Sequence, residues 1–96
     1  MDALTIHEAA RTTGWSPRML RYIERVGLLD AARSDAGYRL YGAAELQRLR
    51  TLRELLQNFD IGLGEMAFAQ RMRADSKLRA SVDAWFEAQA QRPEDV

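Results

Sequence analysis

The chain has 96 residues, 47% apolar and 29% charged, with a formal net charge of zero and no cysteine. One domain of that size buries only about two-thirds of the surface its unfolded form exposes, so one small core is expected. The composition excludes a disordered chain and a long apolar membrane span, and the missing cysteines exclude disulfides, thiolate metal ligands and a cysteine nucleophile.

Charges of both signs from Asp2 onward leave no signal peptide to be read, so a cytoplasmic protein without membrane attachment is expected. Zero net charge hides an asymmetry. Between Arg11 and Arg39 six arginines stand against three acids, whereas from Asn58 onward five bases face seven acids. All basic residues but Lys77 are arginine, whose planar fork suits phosphate and guanine edges, although such a bias also follows from base composition.

In chain order, Thr5 opens the first helix, with Glu8 three residues on to complete a capping box, and Gly14 closes it. A second helix follows a short turn: Ser16 is its N-cap, Pro17 its first residue, Trp15 is placed to staple onto Leu20, and Gly27 stops it. Two short helices around a tight turn have helix-turn-helix spacing. Next, SDAG followed by YRLY predicts a two-stranded hairpin with Arg33 and Arg39 on its arms and Gly37 at its tip. A third helix runs from about Ala43 to Gln57 on a leucine stripe. Gly62 and Glu65 start a fourth, and a last helix from about Ser76 to Gln91 repeats Leu78, Val82, Trp85 and Phe86 on one side, leaving QRPEDV as a frayed tail. The fold class expected is mainly α, a winged helix-turn-helix with a β-hairpin wing, a second helical wing and a C-terminal helix. Residues 1–74 form the winged domain, and residues 75–96 the C-terminal helix and tail.

On the second helix Leu20 and Ile23 share the face expected to be buried, leaving Arg18, Arg21, Tyr22 and Arg25 on the remainder. The helix start at Ser16 adds free N–H groups and positive potential, both of which favour phosphate. The bland alternative is a solvated surface with Arg21 or Arg25 paired to Glu24 or another acid. Helix-turn-helix spacing before it and a hairpin after it favour a recognition helix in a DNA major groove. In such a wing Arg33 and Arg39 reach phosphates or a narrow groove, Gly37 lets the backbone approach, and the Tyr38 hydroxyl donates to a phosphate oxygen. Tyr41 is expected to pack on the third helix. His7, the one histidine, reads as a helix-surface residue. No carboxylate pair or phosphate-cradling loop accompanies it, so neither an enzyme nor a cofactor or metal site is expected.

Taken together, SPRMLRYIERVGLL and RSDAGYRLY at this separation resemble the DNA-binding domain of the MerR family of bacterial transcription regulators, over roughly residues 4–72. The resemblance implies that Arg18, Arg21 and Tyr22 are recognition-helix contacts, that Arg33, Tyr38 and Arg39 are wing contacts, and that DIGLGEM begins the second wing. It also implies a homodimer on a pseudo-palindromic promoter site, with RNA polymerase as a further partner. Two departures stand out: Tyr22-Ile23 replaces the family's double tyrosine, and Trp15 replaces a smaller aliphatic residue. Only about fifteen helical residues are read after Asp75, on the order of 23 Å of helix, so a DNA reader without a sensor is expected. The stripe of Leu78, Val82, Trp85 and Phe86 is expected to be the dimer seam, the alternative being that it folds back onto Met66, Phe68 and Met72. Two other functions stand beside the favoured one: an excisionase-like DNA-bending protein, and a protein-interaction module using the apolar C-terminal helix.

Overall fold

Local capping chemistry sets the first two helices. The computed structural model describes residues 3–90. The tail QRPEDV, and with it the expected end of the last helix at Gln91, lies outside the described residues. In α1 (Ile6–Thr13), the Thr5 hydroxyl accepts from the Glu8 backbone N–H at 3.3 Å, and the Glu8 carboxylate accepts from the Thr5 N–H at 2.9 Å. These bonds satisfy two N–H groups that the helix cannot pair internally. They also favour the charged carboxylate and hold the Glu8 carboxyl below its ordinary range. Gly14 ends α1 at a φ of 84°, the left-handed region glycine enters without a Cβ clash. Helix α2 (Pro17–Arg25) then starts as its sequence dictates, the Ser16 hydroxyl accepting from the Met19 N–H at 3.1 Å.

The wing consists of β1 (Ala32–Arg33) and β2 (Arg39–Leu40), antiparallel, with Ala32 opposite Leu40 and Arg33 opposite Arg39. Ser34 organises the turn: its carbonyl accepts from the Gly37 N–H at 2.9 Å and its hydroxyl from the Tyr38 N–H at 3.1 Å. A bridge not foreseen from sequence lies at the base of the wing, where Leu4 and Tyr41 exchange two backbone hydrogen bonds of 2.8 Å each. The segment ahead of α1 is thereby tied to the end of β2.

Helix α3 (Ala43–Asn58) and helix α4 (Leu63–Ala74) both begin at a glycine. Glycine has no capping side chain, so only half of a capping box forms: the carboxylates of Glu45 and Glu65 accept from the N–H groups of Gly42 and Gly62, at 2.9 and 2.6 Å. Tyr41, Leu20, Ile23, Leu46 and Leu49 are fully buried and bring α2, α3 and the wing base together, with Ala9 of α1 against them. Burial of each large apolar side chain contributes about 1.5–3 kcal/mol. Leu20 and Ile23 occupy the buried face of α2 as expected, and Tyr41 packs into the core as expected.

Trp15 lies half-buried against this core, and its indole N–H donates to the Leu49 carbonyl at 3.0 Å. The Arg53 guanidinium carbon sits 5.7 Å from the centre of the Trp15 ring, and its Nη1 donates to the Gly14 carbonyl at 3.0 Å. The larger aromatic at this position thus ties the helix-turn-helix turn to α3.

Helix α5 (Ser76–Ala90) follows Asp75, whose Oδ1 accepts from the N–H groups of Lys77 and Leu78 at 3.1 Å each. Its main contacts are with α4, and the molecule is long, 62 × 28 × 20 Å. Leu78 and Val82 are half-buried. Trp85 and Phe86 stack edge to face with centroids 5.2 Å apart and remain 62% and 61% exposed. The stripe is thus covered in part: its Leu78 and Val82 end is partly buried, and its Trp85 and Phe86 end is open. No helix among the described residues is long and apolar enough to cross a membrane.

Candidate nucleic-acid interface

Once Leu20 and Ile23 turn inward, the helical period places Arg18, Arg21 and Arg25 on the open side of α2, all three exposed, with Tyr22 half-buried among them. The Arg25 guanidinium carbon lies 5.3 Å from the centre of the Tyr22 ring, a cation–π arrangement. These four residues and Met19 line one side of a groove whose other side is Leu63 and Gly64, at the start of α4. The DIGLGEM segment thus lies beside α2, and Met19, Leu63 and Gly64 join the surface without having been singled out in the sequence.

Arg21 and Arg25 also line an adjoining concavity with Arg33 and Arg39 of the wing and the acids Glu24 and Asp30. Because the two grooves share Arg21 and Arg25, α2, the wing and the start of α4 form one continuous face. Ser16 lines neither groove; it is exposed at the start of α2 and accepts the capping bond there. At the wing tip Tyr38 is 71% exposed. Gly37 adopts a φ of 89° with open space where a Cβ would stand, so the turn conformation, rather than crowding, calls for glycine there.

Glu24 has a part that the sequence did not reveal. The set-aside alternative paired it with Arg21 or Arg25. Its carboxylate instead accepts from Arg33 Nη2, at 3.3 Å to Oε1 and 3.2 Å to Oε2, and from Arg39 Nε at Oε1. These are the only ion pairs within 4.0 Å among the described residues. Arg33 lies nine residues after Glu24 and Arg39 fifteen, and nothing in local periodicity carries a signal across that gap. Beneath them lies Tyr41. Its hydroxyl is buried with no hydrogen-bond partner among the described residues. Burial pushes its phenol above the ordinary value, with the charges of Arg39, Glu24, Arg33 and Arg21 adding smaller, opposing effects.

What this face can do chemically is hold anions. It presents guanidinium forks on a helix and on a hairpin, flanked by an exposed phenol. His7 is exposed on α1, and no group of three or more His, Asp or Glu side chains among the described residues is placed to hold a metal ion.

Comparison with known proteins agrees with this architecture. Residues 4–67 match the MerR HTH family regulatory proteins. Among curated relatives, the chain is 41% identical over 51 residues to the heavy metal-dependent transcription regulator 2 of Rhizobium meliloti, covering 52% of this chain and 35% of that protein. It is 37% identical over 82 residues to an uncharacterized HTH-type transcriptional regulator of Pseudomonas aeruginosa, covering 80% of this chain and 62% of that one. The chain thus spans between about a third and three-fifths of these relatives. Among solved structures it resembles HiNmlR, a MerR family regulator lacking the sensor domain and bound to promoter DNA, with a TM-score of 0.58 and 26% identity over 93% of this chain and 68% of that one. A MerR family regulator from Bacillus cereus shares the fold at a TM-score of 0.59 and 23% identity, over 98% of this chain and 87% of that one. With two-thirds of its length matched by the family and its helices and wing arranged accordingly, the chain belongs to the MerR helix-turn-helix family of regulatory proteins.

Proposed function

We propose that this chain binds a pseudo-palindromic promoter site as a homodimer, placing α2 in the major groove of each half-site and its wing against the flanking backbone. The observation that carries this reading is the continuous arginine face of α2 and the wing, with Arg18, Arg21, Tyr22 and Arg25 on one element and Arg33, Tyr38 and Arg39 on the other. The start of α2 at Ser16 adds N–H groups suited to a phosphate, and Gly37 keeps the wing tip slim. HiNmlR, in complex with promoter DNA, supports the same mode of engagement here.

The stripe of α5, Leu78, Val82, Trp85 and Phe86, is the proposed dimer seam, since the exposed rings of Trp85 and Phe86, continuing a half-buried Leu78 and Val82, call for a cover. Two copies on one duplex match the two-fold symmetry of a pseudo-palindrome. By family likeness the dimer distorts the promoter spacer so that RNA polymerase engages both promoter elements, and it works in the bacterial cytoplasm. Such deformation costs several kcal/mol, on the order of 1–6, and phosphate contacts on both half-sites offset it.

Arg21→Ala tests the reading directly. It weakens binding to a duplex that the wild-type protein selects from a random-sequence pool by about 1–3 kcal/mol, while the melting temperature stays at the wild-type value. Parallel loss of folding and binding would make Arg21 a structural residue instead.

A further inference from the structure

We propose that Glu24 is a positioning residue of the DNA-binding face: its carboxylate fastens the wing to α2 and aims the two wing arginines, so that helix and wing meet the duplex as one body. The inference rests on the proposed DNA-binding function and deepens it. An acid on a surface meant for a polyanion needs an explanation, and Glu24 is the one acid on α2. It is also the most sheltered member of its cluster, its side chain only 13% exposed, against 46% for Arg33 and 27% for Arg39.

The wing itself explains why such a fastening is needed. Each strand is two residues long, and a two-stranded hairpin is marginal on its own. Arg33 and Arg39 face each other across the ladder, an arrangement that repels unless a counter-charge lies between them. Glu24 supplies that charge from a different element, so one carboxylate both relieves the repulsion and links both strands to the recognition helix. Two cations and one anion leave the cluster with a net charge of +1.

The bonding pattern leaves the arginines available to DNA. Arg39 gives Glu24 its Nε, so both of its Nη groups are uncommitted by this bond; Arg33 gives only Nη2, leaving Nε and Nη1. Each guanidinium is thus held by one edge and offers the rest. A fork pre-oriented in this way loses less freedom on meeting a phosphate than one swinging free. Phosphate contacts set the register of a protein on its duplex, so a wing locked to α2 transmits its register to the recognition helix.

The consequence is a sign opposite to simple electrostatics. Removing a negative charge from a DNA-binding face ordinarily tightens binding to every duplex. Glu24→Gln keeps the size of the side chain while giving up the charge, and here it weakens binding to the selected duplex about tenfold, at the low end of what a lost specific contact costs. Binding to an unselected random-sequence duplex is unchanged or slightly tighter. In a background of Arg33→Ala with Arg39→Ala, Glu24→Gln has no further effect on the selected duplex, because its targets are gone.

Equal tightening on both duplexes would overturn the proposal and leave Glu24 a plain repulsive charge. An undiminished loss in the double-alanine background would overturn it as well, since Glu24 would then act through α2 alone. Should Glu24→Gln not fold, Arg33→Lys with Arg39→Lys carries the same test, keeping both charges and surrendering the forks. That pair is expected to lose affinity for the selected duplex only, and wild-type affinity for both duplexes would refute the positioning role. Failure of the DNA-binding function itself is distinct: the wild-type protein would then hold neither duplex in a salt-dependent manner.

Discussion

Replacing Tyr41 by phenylalanine removes one oxygen from the centre of the fold and is expected to stabilise it. The Tyr41 ring is fully buried among Leu20, Ile23, Leu46 and Leu49, and its backbone pairs with Leu4, so phenylalanine keeps both the packing and the bridge. The hydroxyl has no hydrogen-bond partner among the described residues, and a buried polar group in that state costs about 1–3 kcal/mol. Taking the lower end, Tyr41→Phe gains about 1 kcal/mol, and in a domain of this size each kcal/mol raises the melting temperature by roughly 4–8 °C. The pH dependence gives a second arm. Because burial raises the Tyr41 phenol above its ordinary value of 10.0, the folded state holds that proton more tightly than the unfolded state does. Wild-type stability therefore declines as the pH rises above that ordinary value, and the loss is complete once the raised folded value is passed. Tyr41→Phe lacks this contribution, so its advantage widens on the alkaline side. Thermal and urea unfolding followed by circular dichroism, at neutral pH and above pH ~10, measure both arms. A phenylalanine variant less stable than wild type would refute the argument, since the hydroxyl would then be satisfied. So would an advantage that does not grow with pH.

Leu20→Ala opens a cavity at a fully buried site on α2 and is expected to cost about 2–5 kcal/mol, read as a lower urea midpoint at an unchanged slope. An unchanged midpoint would mean that the buried face of α2 lies elsewhere. Trp85→Gln combined with Phe86→Gln is expected to leave a folded monomer with much poorer operator affinity, since both rings are exposed in the single chain. Sedimentation over a concentration series checks this, and a double variant that still dimerises would remove the seam from α5.

The features legible in the sequence are those whose cause is local. Thr5 with Glu8 and Ser16 with Pro17 are capping signals confined to one turn, and the helices begin where these residues say. SDAG names its own turn, and Leu20 with Ile23 follow from helical period once the ends of α2 are known. What escaped the sequence joins residues far apart. The bridge between Leu4 and Tyr41 and the indole bond from Trp15 to Leu49 arise only when the elements assemble. Glu24 is the instructive case. Read along its own helix it has Arg21 three residues before it and Arg25 directly after it, and a neighbour three residues away is the natural partner. Its actual partners arrive from the hairpin, because the buried Tyr41 and the Leu4 bridge seat the wing against α2. The arginine face was visible in composition; the acid that organises part of it was visible only in the fold.

Where the protein sits on DNA is the most direct test of a dimer that reads the duplex through α2. Hydroxyl-radical footprinting of the wild-type protein on a duplex it has selected from a random-sequence pool is predicted to reveal two protected half-sites related by two-fold symmetry. Their centres are expected to fall about 10–10.5 base pairs, or a multiple of that, apart. The protection fades with Arg21→Ala and with rising salt. A single protected patch, or a footprint that Arg21→Ala leaves unchanged, would contradict a dimer reading DNA through α2.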